Sequence, residues 1–195
     1  MNPLVRSEIE LKFPLENPSK IRKQLIDLGF ISQGRVFEFN LVFDTPRNTL
    51  AKSGCLLRLR RDKTVKLTYK EPPPQESALN HRFKVKTETE LEVSDFDSMR
   101  HILHRLGFTR ERIYEKYREH LMRDDGVSAE IDHLPYLGDF LELEAIPEKI
   151  EEVAVALGLD PARGLRENYF QLFAGYCKKE GLEITDLVFK DNTTG

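Results

Sequence analysis

Residues 8–13, Glu-Ile-Glu-Leu-Lys-Phe, alternate charged and apolar side chains. Because successive side chains of a β-strand point to opposite faces, this stretch predicts a strand from about Leu4 to Phe13 with one charged face and one apolar face. A single strand of this kind normally turns its polar face to bulk water. Further strand-like stretches follow, and most of them carry ionised residues on one face, at 35–44, 56–62, 65–70, 83–93, 114–122, 127–132 and 139–146.

Ionised side chains of both signs on one face of nearly every strand are unusual for a sheet that faces solvent. The apolar faces also need cover, and the amphipathic helices of the chain supply it. A closed sheet with helices outside and charge inside meets both requirements, and closure removes the exposed strand edges. We therefore predict an α+β fold, a closed eight-stranded antiparallel β-barrel (a tunnel) with a charged interior and helices packed outside.

Two segments, Ile-Arg-Lys-Gln-Leu-Ile-Asp-Leu-Gly-Phe at 21–30 and Met-Arg-His-Ile-Leu-His-Arg-Leu-Gly-Phe at 99–108, share a length and an ending. Asn17 and Asp95 are suitable N-caps for the two predicted helices, and Gly29 and Gly107 end them. A strand with alternating glutamates precedes each helix and a long strand follows it, which predicts two β-α-β(n) halves. We also predict helices at 147–157 and 165–179, one domain over residues 1–180, and a tail over 181–195 that is loosely held from Thr185 onward.

The composition restricts the class of protein. A net charge of -3 argues against a nucleic-acid-coating protein, which would be basic overall. Cys55 and Cys177 are too few for a disulfide framework and too far apart for a zinc site. The beginning of the chain has no apolar signal segment, and no stretch approaches the roughly 18 apolar residues of a membrane span. We expect a cytoplasmic protein that binds neither nucleic acid nor membrane, and a homodimer is compatible with the sequence.

The charged interior itself indicates a ligand. Like charges crowded in a low-dielectric interior repel each other unless a counter-charge intervenes. Carboxylates favour a divalent cation such as Mg²⁺ or Mn²⁺, which takes oxygen ligands, and Arg and Lys favour phosphate oxygens. A triphosphate with its metal satisfies both groups at once, so we predict Mg²⁺ or Mn²⁺ as the cofactor and a triphosphate-bearing small molecule as the partner.

Glu8-x-Glu10-x-Lys12 is similar to the ExExK signature of the CYTH superfamily, also called triphosphate tunnel metalloenzymes. That family includes class IV adenylyl cyclases, thiamine triphosphatases and inorganic tripolyphosphatases. Over roughly residues 4–176, further blocks resemble the family in the same order: Phe43-Asp-Thr-Pro46, Leu57-Arg-Leu-Arg60, Leu67-Thr-Tyr-Lys70, Lys86-x-Glu88-x-Glu90, Lys116-x-Arg118, Asp132 with Gly138-Asp-Phe-Leu-Glu-Leu-Glu144, and Glu167-Asn-Tyr169.

The resemblance implies a triphosphate held in the tunnel by basic residues beside divalent cations held by acidic ones. The implied metal ligands are Glu8, Glu10, Asp132, Glu142 and Glu144. The implied catalytic residues are Glu8, Glu10, Lys12, Arg58 and Arg60. The implied substrate-binding residues are Lys12, Arg58, Arg60, Lys66, Lys70, Lys86, Lys116 and Arg118. The roles of Glu88 and Glu90, which match acidic family positions, stay open.

The sequence leaves alternative functions open. In hydrolysis a water attacks the terminal phosphoryl group, whereas in cyclisation of ATP the 3′-hydroxyl attacks the α-phosphorus and pyrophosphate leaves. Both reactions need the same cage of metal and cations, so the tunnel motifs do not separate them. No Trp is present to stack on a thiamine ring, which weakens the thiamine triphosphate hypothesis without excluding it. A non-catalytic receptor for polyphosphate or a nucleotide is the alternative, although such a receptor gains nothing from a set of acids in its site.

Overall fold

In the computed structural model, which describes residues 5–74 and 82–190, antiparallel strands close into a barrel. Around the barrel the strands follow the order β1-β5-β4-β3-β2-β6-β7-β8, and β8 pairs with β1. The predicted eight-stranded closed barrel with outer helices is thus confirmed. The strands are β1 (Val5–Leu15), β2 (Ile31–Asp44), β3 (Leu56–Arg61), β4 (Val65–Glu71), β5 (Lys84–Glu92), β6 (Arg110–Met122), β7 (Ser128–Leu134) and β8 (Gly138–Glu144).

The helices are α1 (Pro18–Asp27), α2 (Thr49–Lys52), α3 (Phe96–Arg105), α4 (Pro147–Ala156) and α5 (Tyr169–Glu180). The predicted caps are confirmed, since Asn17 accepts a hydrogen bond from the Lys20 amide and Asp95 accepts one from the Ser98 amide. Helix α1 connects β1 to β2, and α3 connects β5 to β6, as the two predicted β-α-β halves require. The long strands β2 and β6 pair with each other and join the halves. The short helix α2 was not predicted.

The helices cover the outer, apolar face of the barrel. Leu11 and Leu143 of the sheet pack with Leu25 of α1 and Ile150 of α4 in one buried cluster. Helix α3 packs over the outer face of β2 and β3. Helix α5 differs, because it covers one end of the barrel, where it packs on Tyr114 and Phe140, which lie on the same strand face as the charged residues. Each fully buried Leu or Ile stabilises the fold by about 1.5–3 kcal/mol. Because the helices occupy the outer face, strand alternation directs the charged side chains into the barrel.

Strand β1 changes its neighbours at Glu10. Residues Val5–Glu10 pair with β5, and residues Glu10–Leu15 pair with β8. Beyond Glu10 on the β5 side, Leu165 closes the gap by exchanging two backbone hydrogen bonds of 3.1 and 2.7 Å with Lys12. Before Glu10 on the β8 side, no strand of the described residues pairs with β1. The barrel is therefore notched at that point.

The prediction of a helix beginning at Leu165 is wrong. Leu165 is held in an extended bridge to Lys12, so the chain cannot turn helical there. Helix α5 begins at Tyr169, and the Asn168 side chain caps it by accepting a hydrogen bond from the Gln171 amide.

The prediction of a loosely held tail is also wrong for residues 186–190. Leu187 is fully buried against α5 and β6. Its carbonyl accepts a hydrogen bond from the Glu115 amide at 2.9 Å, and its own amide donates to the Ile113 carbonyl at 3.0 Å. Residues 191–195 of that predicted tail lie outside the described residues, as do residues 75–81. No helix in the described part of the chain is long and apolar enough to cross a membrane.

The docked segment makes a stability prediction. Leu187→Ala should lower the free energy of unfolding by about 2–4 kcal/mol, because it leaves a cavity between α5 and β6. Urea denaturation would measure the loss. Ile184→Ala is the matched control: this side chain is 55% exposed in the same segment, and its removal should change stability by no more than about 0.5 kcal/mol. Equal, small effects of both substitutions would contradict the docked position of the segment.

Candidate active site

A cavity of about 340 Å³ occupies the barrel interior, and all eight strands contribute charged or polar side chains to its wall. The wall is built from carboxylates and cations in comparable number. The carboxylates include Glu8, Glu10, Glu38, Glu88, Glu90, Glu130, Glu142 and Glu144. The cations are Arg6, Lys12, Arg58, Arg60, Lys66, Lys70, Lys84, Lys116 and Arg118.

The tunnel has two distinct ends. At one, the α5 end, Tyr169 and Phe170 from the start of α5 meet Tyr114 of β6. At the other, the outer end, Arg6 near the start of β1 lies with His120 near the end of β6. Tyr114 and His120 are six residues apart on one strand, which corresponds to about 20 Å at ~3.4 Å per residue. The tunnel is therefore long enough for an elongated anion.

Strand β3 supplies guanidinium donors to the middle of the tunnel. Arg58 donates to the Tyr114 hydroxyl at 3.1 Å and to the Thr68 hydroxyl at 3.3 Å, and Arg60 lies 3.4 Å from a Glu38 oxygen. Both Nε atoms are buried and have no hydrogen-bond partner among residues 5–74 and 82–190, but that of Arg60 lies 3.3 Å from an Asp62 oxygen. Buried N–H groups normally find an acceptor, so the Nε of Arg58 is available to an oxygen of a ligand or of water.

Glu38 is a site residue that the sequence analysis missed. Its side chain is fully buried, 3.6 Å from Lys116 Nζ and 4.0 Å from Arg118 Nε. Burial opposes ionisation, but Lys116, Arg118 and Arg60 outweigh it and lower the pKa of Glu38 to about 2. Glu38 is therefore the counter-charge that keeps these cations together. Its alternation with Asn40 on β2 was the signal that could have identified it.

Asp132 is placed differently from the other predicted metal ligands. It is fully buried and accepts hydrogen bonds from Lys116 Nζ at 2.9 Å, Arg118 Nε at 2.6 Å and the Tyr169 hydroxyl at 2.7 Å. It does not form part of the cavity wall, because Lys116 and Arg118 lie in front of it. Asp132 holds the cations from behind, and the implied metal contact stays a prediction.

The wall formed by β1 and β8 is acidic and incompletely neutralised. Lys70 lies 2.5 Å from a Glu8 oxygen, and Lys84 lies 2.7 Å from a Glu10 oxygen. Glu144, in contrast, forms its one ion pair among the described residues with Arg6, at 3.9 Å, and Lys70 acts on it from farther away. Burial, with the neighbouring carboxylates of Glu8 and Glu130, raises the pKa of Glu144 to about 7. The nearby cations therefore do not fully balance the negative charge of this wall.

A divalent cation would balance this negative charge. Carboxylate oxygens are the ligands that Mg²⁺ and Mn²⁺ prefer, and a cation beside Glu144 would relieve the repulsion from Glu8. In the described residues no three acidic, histidine or cysteine side chains lie close enough to form a preformed metal cage. Lysines occupy the positions between the carboxylates instead, so a metal would exchange with Lys70 or Lys84.

The structure brings most of the predicted site residues together on the tunnel wall: Glu8, Glu10, Lys12, Arg58, Arg60, Lys66, Lys70, Lys116, Arg118, Glu142 and Glu144. Lys86 is the exception among the predicted cations, because its Nζ donates to the Gly54 carbonyl at 2.8 Å away from the cavity wall. Lys84, two residues earlier, faces the tunnel in its stead. Glu88 and Glu90 also line the tunnel, where they pair with Lys70 and Lys66. The sequence analysis further missed Arg6, Tyr114 and Glu130.

Comparison with known proteins agrees with this geometry. Over 176 residues the chain is 28% identical to a protein of Methanocaldococcus jannaschii named "Putative adenylate cyclase", with 85% of this chain and 97% of that protein covered. It is 27% identical to a protein of Pyrococcus horikoshii of known structure, with a TM-score of 0.71 over 86% of this chain and 98% of that one. A Vibrio parahaemolyticus structure shares the fold at a TM-score of 0.74 over 87% of this chain and 98% of that one, with 18% identity. Residues 6–166 match the family model described as the CYTH domain, and the chain belongs to that family.

Proposed function

We propose that this protein is a divalent-metal-dependent enzyme that acts on a triphosphate bound in the tunnel. The observation that carries the proposal is the division of the tunnel wall. Strand β3 carries Arg58, whose buried Nε has no hydrogen-bond partner among the described residues, and Arg60. It lies four strands from β8, which carries the under-neutralised Glu144, and so faces that strand across the barrel. Anion-binding and cation-binding surfaces thus face each other within one cavity.

The basic residues would hold the phosphate oxygens. Guanidinium groups form paired, charge-assisted hydrogen bonds with phosphate, and lysine ammonium groups supply point charge. The tunnel wall over β4, β3 and β6 carries Lys66, Arg58, Arg60, Lys116 and Arg118, and Glu38 of the intervening strand β2 lies between the two groups of cations. Without a ligand these cations pair with Glu38, Glu90 and Asp132. The ion pairs keep the cations in position, so phosphate would bind with little rearrangement of their side chains.

The carboxylates of Glu8, Glu10, Glu142 and Glu144 would hold Mg²⁺ or Mn²⁺. When bound, the metal would neutralise charge on the transferring phosphoryl group and activate the attacking oxygen. Without a ligand, Lys70 pairs with the Glu8 carboxylate and Lys84 with that of Glu10. A metal bound to these carboxylates would displace both ammonium groups, which could then contact the phosphates. The bound triphosphate and its metal would therefore exchange partners with the resident ion pairs.

The attacking oxygen decides the reaction. The name of the Methanocaldococcus jannaschii relative supports cyclisation of ATP to cyclic AMP and pyrophosphate. The resemblance to thiamine triphosphatases and tripolyphosphatases supports hydrolysis of a phosphoanhydride bond. In either reaction the residues of this chain do the same work: they align the phosphates along the tunnel and stabilise the developing charge.

The enzyme hypothesis predicts metal-dependent turnover. With Mg²⁺ or Mn²⁺ the purified protein should convert ATP, thiamine triphosphate or inorganic tripolyphosphate, and a chelator should stop the reaction. Glu8→Ala with Glu10→Ala should reduce the rate by about 100-fold or more, because both remove oxygen donors from the acidic wall. Glu16→Ala, an exposed glutamate just after β1, is the matched control and should leave the rate unchanged.

Chromatography of the products separates the alternatives. Cyclic AMP with pyrophosphate identifies a cyclase, and orthophosphate without cyclic AMP identifies a hydrolase. If no triphosphate is converted but tripolyphosphate still raises the melting temperature, the protein is a receptor and the enzyme hypothesis fails. Absence of both turnover and binding would refute the role assigned to the tunnel.

The buried position of Glu38 gives a prediction about pH. Its pKa is about 2 in the folded protein against an ordinary 4.5, so between these pH values the unfolded chain binds more protons. Stability from Glu38 is therefore present above pH 4.5 and is lost as the pH falls toward 2. Glu38→Gln should be less stable than the wild type at pH 7 by up to about 3 kcal/mol, and the difference should shrink in acid.

Urea denaturation from pH 3 to pH 7 would measure this difference, with Glu16→Gln as the control variant. If the difference in unfolding free energy between Glu38→Gln and the wild type does not change with pH, Glu38 is not the counter-charge of the buried cations.

A further inference from the structure

Asn40 on β2 lies behind the arginines of the tunnel wall. It is fully buried, and it does not line the tunnel itself. By strand register it lies opposite Arg60 of β3 on one side and Tyr114 of β6 on the other. Strand alternation places it on the inner face of β2, two residues from Glu38. A carboxamide in this position is shielded from bulk solvent, so its polar atoms need partners inside the barrel.

The Asn40 carboxamide does not find such partners in the described part of the chain. Neither its Oδ1 nor its Nδ2 forms a hydrogen bond with residues 5–74 or 82–190, so it does not matter which of the two atoms is which. Glu38 Oε2 and Arg58 Nε are buried and unpaired in the same way. Arg58 lies opposite Val42, the next inward position of β2, so Asn40 lies between Glu38 and the row of Arg58. Donor and acceptor atoms are thus left over side by side.

One internal water molecule would satisfy these atoms. A buried water accepts from N–H groups and donates to oxygens, and it usually makes about three hydrogen bonds to groups that otherwise have no partner. Two hydrogen bonds in series through a water span roughly 5.5–6 Å, close to the ~7 Å between alternate residues of a strand such as Glu38 and Asn40. A phosphate oxygen would not replace this water, because Asn40 does not line the tunnel.

The same water would complete the contacts of Arg58. Its Nη1 donates to the Tyr114 hydroxyl at 3.1 Å, and its Nη2 donates to the Thr68 hydroxyl at 3.3 Å. A guanidinium carries five N–H donors, two on each terminal nitrogen and one on Nε. With Nε held from behind, one N–H on each terminal nitrogen stays available. Such a pair of donors matches the oxygens of a phosphate group.

We propose that Asn40 is a positioning residue: together with Glu38 and Arg58 Nε it binds an internal water, and through this water it holds the Arg58 guanidinium toward the tunnel. Asn40 does not touch the substrate and acts only through Arg58. The inference rests on the proposed function, because it assumes that Arg58 binds a phosphate group.

A double-mutant cycle tests this role. Asn40→Leu removes the amide at nearly constant size, and Arg58→Lys removes the Nε–H but keeps the charge. Titration calorimetry would measure the affinities for inorganic tripolyphosphate and ATP, with Ca²⁺ in place of Mg²⁺ to suppress turnover. Leu41→Ala is the structural control, because Leu41 is buried on the outer face of the same strand. It should lower the melting temperature and leave both affinities unchanged.

We expect Asn40→Leu to weaken binding by about tenfold, which corresponds to one hydrogen bond to a charged group. In the Arg58→Lys background the same substitution should weaken binding by less than about twofold, because its effect passes through the lost Nε–H. Combined with Lys84→Ala, on the acidic wall, the two losses should multiply. Unchanged affinity in Asn40→Leu, or the full loss in the Arg58→Lys background, would overturn the inference.

A matched pair of smaller variants decides the question if Asn40→Leu does not fold or if Arg58→Lys does not bind measurably. Asn40→Ser and Asn40→Ala leave nearly the same space and differ in one hydroxyl, which can hold the water. The Asn40→Ser protein should bind several-fold more tightly than the Asn40→Ala protein, and equal affinities would refute the role of Asn40 while the proposed function stands. If the wild type binds neither tripolyphosphate nor ATP, the proposed function fails and the inference fails with it.

Discussion

The rest of the structure depends on the balance of buried charge inside the barrel. An ion moved from water into a protein interior costs several kcal/mol unless a partner and hydrogen bonds compensate it. Here each tunnel cation has a carboxylate within reach: Lys70 lies between Glu8 and Glu88, and Arg118 contacts Asp132. The same ion pairs stabilise the folded barrel and hold the groups that a triphosphate would bind. Stability and ligand binding therefore draw on one set of contacts.

Strand register maintains that balance. Glu10 lies opposite Glu144 on one side and Lys84 on the other, and Lys12 lies opposite Glu142. A shift of one residue would turn all of these side chains outward and the leucines inward, so the helices that bury the outer face also fix the register. Where β1 passes from β5 to β8, the register leaves two gaps. Leu165 closes the gap toward the α5 end, whereas no strand of the described residues closes the gap at the outer end.

The alternation of charged and apolar residues was enough to predict the barrel and its charged face, because alternation fixes the side of the sheet on which a residue lies. It did not predict how deeply a side chain is buried, or where the charged end of a long side chain lies. Lys86 has the correct parity, yet its flexible stem carries the ammonium group to Gly54. Asp132 also has the correct parity, but it lies behind two cations. The docking of Leu187 rests on backbone hydrogen bonds of a segment without periodicity, which no sequence pattern records.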